Sequence, residues 1–168
     1  MLTALSSHIQ THESLPSQLM DKLIAAKHHH GAMMLLRQIE FALIDLKLHT
    51  NPTLDIELAL KAVQQEVRVT PTIPEDRYLA SFTHIFAGGY AAGYYSYLWA
   101  EVLSSDLFEA FTETGDPFNK EVGARFLSAI LEVGSSRPFM ESYTEFRGRT
   151  PDTLALLRLR GLVPSLHG

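Results

Sequence analysis

Cysteine is absent from the 168-residue sequence, which excludes disulfide bonds and metal sites built from thiolates. No apolar run reaches the length of a membrane-spanning helix, and the N-terminus lacks the charged start and apolar block of a secretory signal. We therefore expect a cytoplasmic protein that has no membrane partner.

Positive charge is also scarce. The sequence has 14 Lys and Arg against 19 Asp and Glu, a formal net charge of −5, whereas nucleic-acid-binding domains carry clustered positive charge. We therefore expect no nucleic-acid partner.

With 46% hydrophobic residues, the chain has enough apolar side chains to form a core.

The sequence shows no alternating strand pattern and no internal repeat, so the predicted fold class is all-α. Apolar residues recur at helical spacing in segments bounded by proline, glycine and capping residues. These segments are residues 16–27, 32–49, 54–69, 90–115, 117–134, 138–146 and 153–160. We interpret residues 1–168 as a single helical domain with N-terminal helices (1–69), a crossover and glycine-rich loop (70–89) and C-terminal helices (90–168).

Two stretches predict breaks between helices. The histidines of residues 28–30 precede Gly31 and indicate a helix end, where protonated imidazoles complement the negative pole and the glycine ends the turn. Pro71 and Pro74 prevent a helix from continuing and predict an extended crossover.

Two charged pairs have alternative interpretations. Arg37 and Glu40 stand three residues apart and predict a surface or domain-packing pair rather than catalytic groups. Arg147 and Arg149 flank Gly148, and they could hold a carboxylate or a phosphate. They could also neutralise the carbonyl groups at a helix end, and we favour this second arrangement.

The stretch from Phe82 to Trp99, F-T-H-I-F-A-G-G-Y-A-A-G-Y-Y-S-Y-L-W, concentrates features that packing alone does not require. If a helix begins near Tyr90, one narrow stripe of it carries phenols and a carboxylate. The members of this stripe are Tyr90, Tyr94, Tyr97 and Glu101. The opposite face is apolar and is expected to meet a core. Its members are Tyr95, Leu98, Trp99 and Val102.

The residues alone leave two interpretations of the tyrosine stripe open. Phenolic hydroxyls behind the flexible pair Gly88-Gly89 could line a polar cleft, because glycine allows a positive φ and the close approach of another backbone, such as a bound peptide. Alternatively, the tyrosines are partly buried helix residues whose hydroxyls reach water or a carbonyl.

Motifs along the chain resemble the thimet oligopeptidase family of zinc peptidases, most closely its oligopeptidase A branch. The Phe82 to Trp99 stretch is similar to the glycine-rich substrate loop and following helix of that family. Further similarity lies in Ala25-Ala26-Lys27, residues 36–43, Leu48-His49, residues 146–149 with Pro151, and residues 160–162. The resemblance runs almost end to end and implies the C-terminal part of a longer, helical peptidase.

The resemblance also implies roles for individual residues. Tyr97 matches the tyrosine that stabilises the oxyanion when a zinc-bound water attacks a peptide carbonyl, and a phenol suits this task because it donates a hydrogen bond without ionising. Tyr90 matches the mobile, substrate-contacting tyrosine, and His84 matches the histidine of the loop. The substrates implied are short peptides. The implied substrate-binding residues are His84, Gly88, Gly89, Tyr90 and Tyr94.

The zinc motif of the family is missing from this sequence. That motif is H-E-x-x-H on a helix with a further glutamate downstream. Here the His-Glu pair is His12-Glu13, and Pro16 stands where the second histidine is needed. We therefore expect zinc in the full-length enzymes of the family and no metal bound by this chain alone.

Two hypotheses of function follow. In the first, the chain is the C-terminal fragment of a zinc oligopeptidase, inactive alone because the missing N-terminal half carries the metal. In the second, it is a non-catalytic helical module. Such a module would bind a partner or form a homo-oligomer through apolar surface that the missing half once covered.

Overall fold

A computed structural model describes residues 2–164, and every regular element in this range is helical. The α-helices are α1 (Leu2–Leu5), α2 (Ser17–His28), α3 (Gly31–Thr50), α4 (Ile56–Val67), α5 (Thr83–Phe86), α6 (Ser96–Thr112), α7 (Lys120–Phe126), α8 (Phe139–Arg147) and α9 (Leu154–Leu159). A 3₁₀-helix (Tyr78–Ser81) precedes α5, and a π-helical segment (Leu127–Leu131) continues α7. The predicted all-α class is confirmed for the described residues.

The chain divides into two compact units. We call residues 30–101 the central unit and residues 2–29 with 102–164 the terminal unit. Helix α6 contributes residues to both units. The interpretation of residues 1–168 as one domain with three sub-segments stays a prediction, and residues 1 and 165–168 lie outside the described residues.

The core of the central unit joins α3, α4, the 3₁₀-helix and α5. One residue from each of these elements is buried in a single apolar cluster: Ile44, Ala59, Leu79 and Ile85. Helix α4 begins at a cap, because the side chain of Asp55 accepts the N–H of Leu58 at 3.0 Å. The short 3₁₀-helix and α5 thus pack on two long helices, and they bring the start of the glycine-rich loop with them.

The terminal unit has a core of its own. It is built mainly from one face of α6 together with α7, its π-helical continuation and α8. The buried members are Leu103, Leu107, Ala110, Val122, Ala129, Tyr143 and Phe146. Phe126 packs edge-on against Phe146, with ring centroids 5.5 Å apart. The aromatic side chains therefore hold α8 against α7 within this unit.

The predicted boundary between α2 and α3 is wrong in one detail. Helix α2 ends at His28 as expected, but Gly31 does not end the turn, because it is the buried first residue of α3. His30 instead takes the left-handed conformation, with φ at 55°. The break between α2 and α3 therefore takes its left-handed residue one position earlier than the glycine suggested.

The start of α6 also differs from the sequence prediction. This helix begins at Ser96 rather than near Tyr90, and residues 91–95 form turns. Two members of the predicted apolar face are not in a core, since Tyr95 is 51% and Trp99 48% exposed. A third member, Val102, is buried as predicted.

Candidate functional site

The predicted site residues lie in or beside the glycine-rich loop of the central unit. His84 is an exposed residue of α5, and its ring faces three tyrosine rings. The centroid distances are 6.4 Å to Tyr90, 6.1 Å to Tyr94 and 6.5 Å to Tyr97. The structure thus brings together side chains that are up to thirteen positions apart in the sequence.

Gly88 and Gly89 are needed for different reasons. A Cβ atom on Gly88 would stand 2.8 Å from the Cα atom of His84 and 2.9 Å from its carbonyl oxygen. The close approach that requires Gly88 is therefore to the backbone of α5. Gly89 has φ at 81°, in the region that side-chain-bearing residues rarely adopt. Together they let the chain fold back, so that the N–H of Tyr90 reaches the carbonyl of His84 at 3.1 Å.

The tyrosines converge although they do not share a helix. Tyr90 and Tyr97 have ring centroids 4.8 Å apart at an angle of 31°, and Tyr94 lies 5.1 Å from Tyr97. A turn brings this about, because the carbonyl of Tyr90 accepts the N–H of Gly93 at 2.8 Å. The predicted stripe placed the three tyrosines close together, and their rings are close. Tyr90 and Tyr94 precede α6, however, so a turn and not a helix face groups them.

The Tyr97 phenol stays protonated over the physiological pH range. A side-chain hydrogen bond with Tyr90, with smaller effects of burial and of nearby phenols, raises the pKa of Tyr97 to about 12. Its side chain is also exposed, at 42%. Because the phenol is neutral and exposed, it can donate its hydrogen to a ligand that takes the place of Tyr90 as its hydrogen-bond partner.

Tyr94 differs from Tyr97 because its hydroxyl is bonded to another helix rather than to a tyrosine of the cluster. It donates to Oε1 of Gln38 on α3 at 3.0 Å, and burial raises its pKa above the ordinary value. The Tyr94 ring packs against Phe82 and Phe41, with centroids 5.1 and 5.7 Å away. The structure therefore gives Tyr94 a packing contact with α3 as well as a place in the cluster.

Sequence reasoning missed the residue that holds the turn between Tyr90 and Tyr97. Asp45 of α3 is fully buried, and its carboxylate accepts the N–H groups of Ala92 and Tyr94 at 3.0 and 2.9 Å. The available signal was an acidic residue between apolar neighbours, in the order Leu43-Ile44-Asp45-Leu46. A charge in that position requires partners, and here they lie 47 and 49 residues along the chain.

Arg37 and Glu40 form the predicted ion pair, and of the two arrangements expected, a surface pair or a packing pair, the surface pair is wrong for Glu40. Its side chain is fully buried, and the shortest contact of its carboxylate is to Nε of Arg68 at 2.6 Å. Burial raises the pKa of Glu40, but hydrogen bonds from Arg68 and Tyr78 outweigh it and leave the pKa below its ordinary value. The carboxylate stays ionised as an internal anchor.

Arg147 and Arg149 hold a carboxylate, the arrangement that the sequence analysis did not favour. Both contact the buried Asp106 of α6, at 3.1 Å from Arg147 and 2.7 Å from Arg149. Tyr143 also donates its hydroxyl hydrogen to Asp106. Gly148 takes a left-handed conformation and caps α8.

A zinc site is not assembled from the described side chains. Within residues 2–164, no group of three or more His, Asp and Glu residues comes close enough to hold a metal ion. His49, for example, places Nδ1 2.8 Å from Oδ1 of Asp45, but no third such residue joins this pair. The donors present therefore do not fit the zinc ion that the family resemblance implies.

None of the helices in the described range is both long and apolar enough to cross a membrane.

Comparison with known proteins places the chain in a family of hydrolases. The family description "Peptidase family M3" matches residues 1–162, so the chain belongs to peptidase family M3. This confirms the family resemblance seen in the Phe82 to Trp99 stretch and the motifs on either side of it.

The relatives include proteins from a plant, a bacterium and a yeast. The chain is 46% identical over 169 residues to "Probable cytosolic oligopeptidase A" of Arabidopsis thaliana and 45% identical over 165 residues to "Oligopeptidase A" of Escherichia coli. It is 35% identical over 167 residues to "Saccharolysin" of Saccharomyces cerevisiae. Each comparison covers 96% of this chain but only 23 or 24% of the relative. The chain thus spans about a quarter of the length of these relatives.

Proposed function

We propose that this chain supplies the substrate-binding and oxyanion-stabilising side of an oligopeptidase that cleaves short peptides. The observation that supports the proposal best is the convergence of His84, Tyr90 and Tyr97 beside a glycine-rich turn. Membership of peptidase family M3 gives this cluster a chemical context, because peptide hydrolysis develops negative charge on the carbonyl oxygen.

Tyr97 is the residue we assign to that charge. Its phenol is exposed and keeps its proton, so it can donate a hydrogen bond to the developing oxyanion. Tyr90 lies against it and hydrogen-bonds to it, which leaves Tyr90 close enough to contact the same peptide. His84, Gly88, Gly89 and Tyr94 form the remaining wall of the proposed peptide site.

We also propose that the isolated chain does not cleave peptides. The support is the sequence, which has no H-E-x-x-H motif, and the described donors, which do not fit zinc. A phenol that stabilises an oxyanion does not replace the group that generates the nucleophile. The active assembly then needs a second segment of an oligopeptidase as its partner, and we propose a cytoplasmic location for it.

An exchange of matching segments tests the role of Tyr97. The matching quarter of Escherichia coli oligopeptidase A is replaced by this chain, and hydrolysis of a short peptide is measured for the chimera. We expect Tyr97→Phe to lower kcat by about 100-fold or more, as removal of an oxyanion donor does. Tyr95→Phe is the matched control, because this exposed tyrosine lies outside the ring cluster.

Three experimental outcomes would contradict the proposal. An active chimera whose kcat is unchanged by Tyr97→Phe would contradict the assignment of the oxyanion donor. Peptide cleavage by the purified 168-residue chain, abolished by a chelator and by Tyr97→Phe, would contradict the proposed inactivity. A Tyr95→Phe loss equal to that of Tyr97→Phe would show that any tyrosine change damages the loop.

A second candidate function is a non-catalytic binding or homo-oligomerisation module. The observation that favours it is the exposure of Tyr95 and Trp99 on the central unit, at 51 and 48%. Large exposed apolar side chains favour association. Light scattering after size-exclusion chromatography tests the homo-oligomer, since a monomer at all concentrations would speak against it.

A further inference from the structure

Asp45 presents a carboxylate in the interior of the central unit. The residue lies on α3 and has no solvent exposure. A buried charge is unfavourable unless it is paired and fully hydrogen-bonded. Its partners therefore identify what the carboxylate holds in place.

Both carboxylate oxygens contact the turn that precedes α6. Oδ1 accepts the N–H of Ala92 at 3.0 Å, and Oδ2 accepts the N–H of Tyr94 at 2.9 Å. His49, one helical turn away on α3, places Nδ1 2.8 Å from Oδ1. The carboxylate thus joins two backbone donors of the turn to a side chain of its own helix.

The turn has a conformation that needs such support. Ala92 has φ at 54°, which is unfavourable for a residue with a Cβ atom. Backbone N–H groups around a left-handed residue form a concave site for an anion. The N–H groups near the start of a helix also lack partners within the helix. Asp45 supplies the missing acceptor from a distant part of the chain.

The same turn determines where the two functional tyrosines lie. Tyr90 precedes it, and its carbonyl accepts the N–H of Gly93 at 2.8 Å. Tyr97 follows it in the first turn of α6, and the two rings meet at 4.8 Å. Any rotation of the peptide groups between Ala92 and Tyr94 would change this ring spacing.

We infer that Asp45 is a positioning residue of the peptide site: its carboxylate fixes the Ala92 to Tyr94 turn and thereby holds Tyr90 against Tyr97. It does not contact the substrate itself. The consequence for peptide cleavage rests on the proposed function, whereas the positioning of the two tyrosines can be measured on the chain alone.

Amide hydrogen exchange and nuclear Overhauser effects test the positioning directly. In Asp45→Asn, one backbone donor faces an amide NH₂ group instead of an oxygen. We expect exchange at the Ala92 and Tyr94 amides to accelerate about tenfold or more, the loss typical of a hydrogen bond to a charged group. The Overhauser effects between the Tyr90 and Tyr97 rings should weaken or disappear.

Glu40→Gln is the matched control. Glu40 is an equally buried carboxylate on α3, but its partners are Arg68, Tyr78 and other residues away from the turn. We expect this variant to weaken the central unit while the Tyr90 to Tyr97 effects persist. If Glu40→Gln abolishes them as well, general destabilisation explains the change and the inference is overturned.

The wild-type chain provides a test that needs no variant. The Ala92 and Tyr94 amides should exchange more slowly than that of Gly89, an exposed residue of the same loop. Equal exchange rates at the three amides would overturn the inference, even if Asp45→Asn did not fold.

The chimera distinguishes this inference from the proposed function. If Asp45→Asn lowers kcat and adds little to the loss caused by Tyr97→Phe, the two residues act as one unit, as expected. If Tyr97→Phe leaves kcat unchanged while Asp45→Asn loosens the turn, the proposed function fails and the positioning remains. If Tyr97→Phe lowers kcat but Asp45→Asn affects neither turn nor rings, only the inference fails.

Discussion

Arg68 donates two parallel hydrogen bonds to the buried carboxylate of Glu40, from Nε to Oε2 at 2.6 Å and from Nη2 to Oε1 at 2.9 Å. The pair joins the residue that follows α4 to the middle of α3. Tyr78 adds its hydroxyl to the same carboxylate at 2.9 Å, so the segment leading into α5 is attached as well. The Glu40 carboxylate therefore links α3 to the end of α4 and to the segment that leads into α5.

Removal of the arginine should destabilise the central unit strongly. We expect Arg68→Ala to lower the free energy of unfolding by about 3 kcal/mol, because it leaves the buried Glu40 carboxylate with fewer partners. Urea denaturation followed by circular dichroism measures the change. Arg77→Ala is the control, since exposed Arg77 donates to backbone carbonyls of Pro74 and Asp76, and we expect about 0.5 kcal/mol or less. Equal losses in the two variants would contradict the anchoring role.

Stability should fall in acid because two buried carboxyl groups have lowered pKa values. Burial alone raises the pKa of Glu40 and of Asp106, but hydrogen bonds from arginine and tyrosine outweigh it in both. A carboxyl group whose pKa is lower in the folded chain stabilises it above the unfolded pKa and loses this contribution as the pH falls through the folded value. The loss should therefore begin below the ordinary values of 4.5 for Glu40 and 3.8 for Asp106.

Urea denaturation at a series of pH values checks this dependence. The wild-type chain should lose stability progressively below pH 4.5, the ordinary pKa of Glu40. Glu40→Gln should begin less stable at neutral pH and show a shallower acid slope, because one of the two titrating groups is gone. An unchanged slope would show that Glu40 is not among the groups responsible.

Replacing Tyr90 should lower the pKa of Tyr97. The hydrogen bond between the two phenols is the largest cause that raises it to about 12, so Tyr90→Phe should return it towards the ordinary value of 10.0. Tyrosine ring signals followed by NMR through an alkaline titration, assigned with Tyr97→Phe, measure the shift. Tyr95→Phe should leave the Tyr97 titration unchanged, and a Tyr97 pKa near 10 in the wild-type chain would contradict the hydrogen bond.

Substitution of alanine for glycine should have opposite effects at two positions. In Gly88→Ala, the new Cβ would meet the backbone of His84 at 2.8 Å, so we expect a loss of about 1–3 kcal/mol from overpacking. In Gly123→Ala, within α7, the new Cβ would have no atom within 4 Å apart from the adjoining backbone of its own helix, and we expect a gain of about 1 kcal/mol from helix propensity. Thermal or urea unfolding compares the two variants, and a neutral Gly88→Ala would contradict the close approach.

Much of the helical framework could be predicted because its signals are local. The apolar spacing predicted α3, α4 and α8 to within a few residues, and capping groups mark several ends. Gly148 and Gly161, for instance, take the positive φ values expected of residues that end a helix. The grouping of His84 with three tyrosines also followed from the motif, since these residues lie within fourteen positions of one another.

What could not be predicted depends on contacts between distant residues. A turn stands where a helical start was predicted, and its N–H groups are accepted by Asp45, which lies 47 and 49 residues earlier in the chain. Arg37 and Glu40 have the spacing of a surface ion pair on a helix. Their spacing does not reveal that Arg68, 28 residues after Glu40, binds the same carboxylate. Arg149 likewise donates a hydrogen bond to Asp106, which precedes it by 43 residues. Helical periodicity carries no information about such partners.

The left-handed turn at Ala92 also bears on the order in which the molecule assembles. Its acceptor precedes it by 47 residues, so the turn gains its hydrogen bonds only after α3 has formed and the intervening chain has closed on it. We therefore expect the tyrosine pair to acquire its native geometry late in folding. Local opening of the contact between α3 and this turn would then separate Tyr90 from Tyr97 while the helices themselves persist.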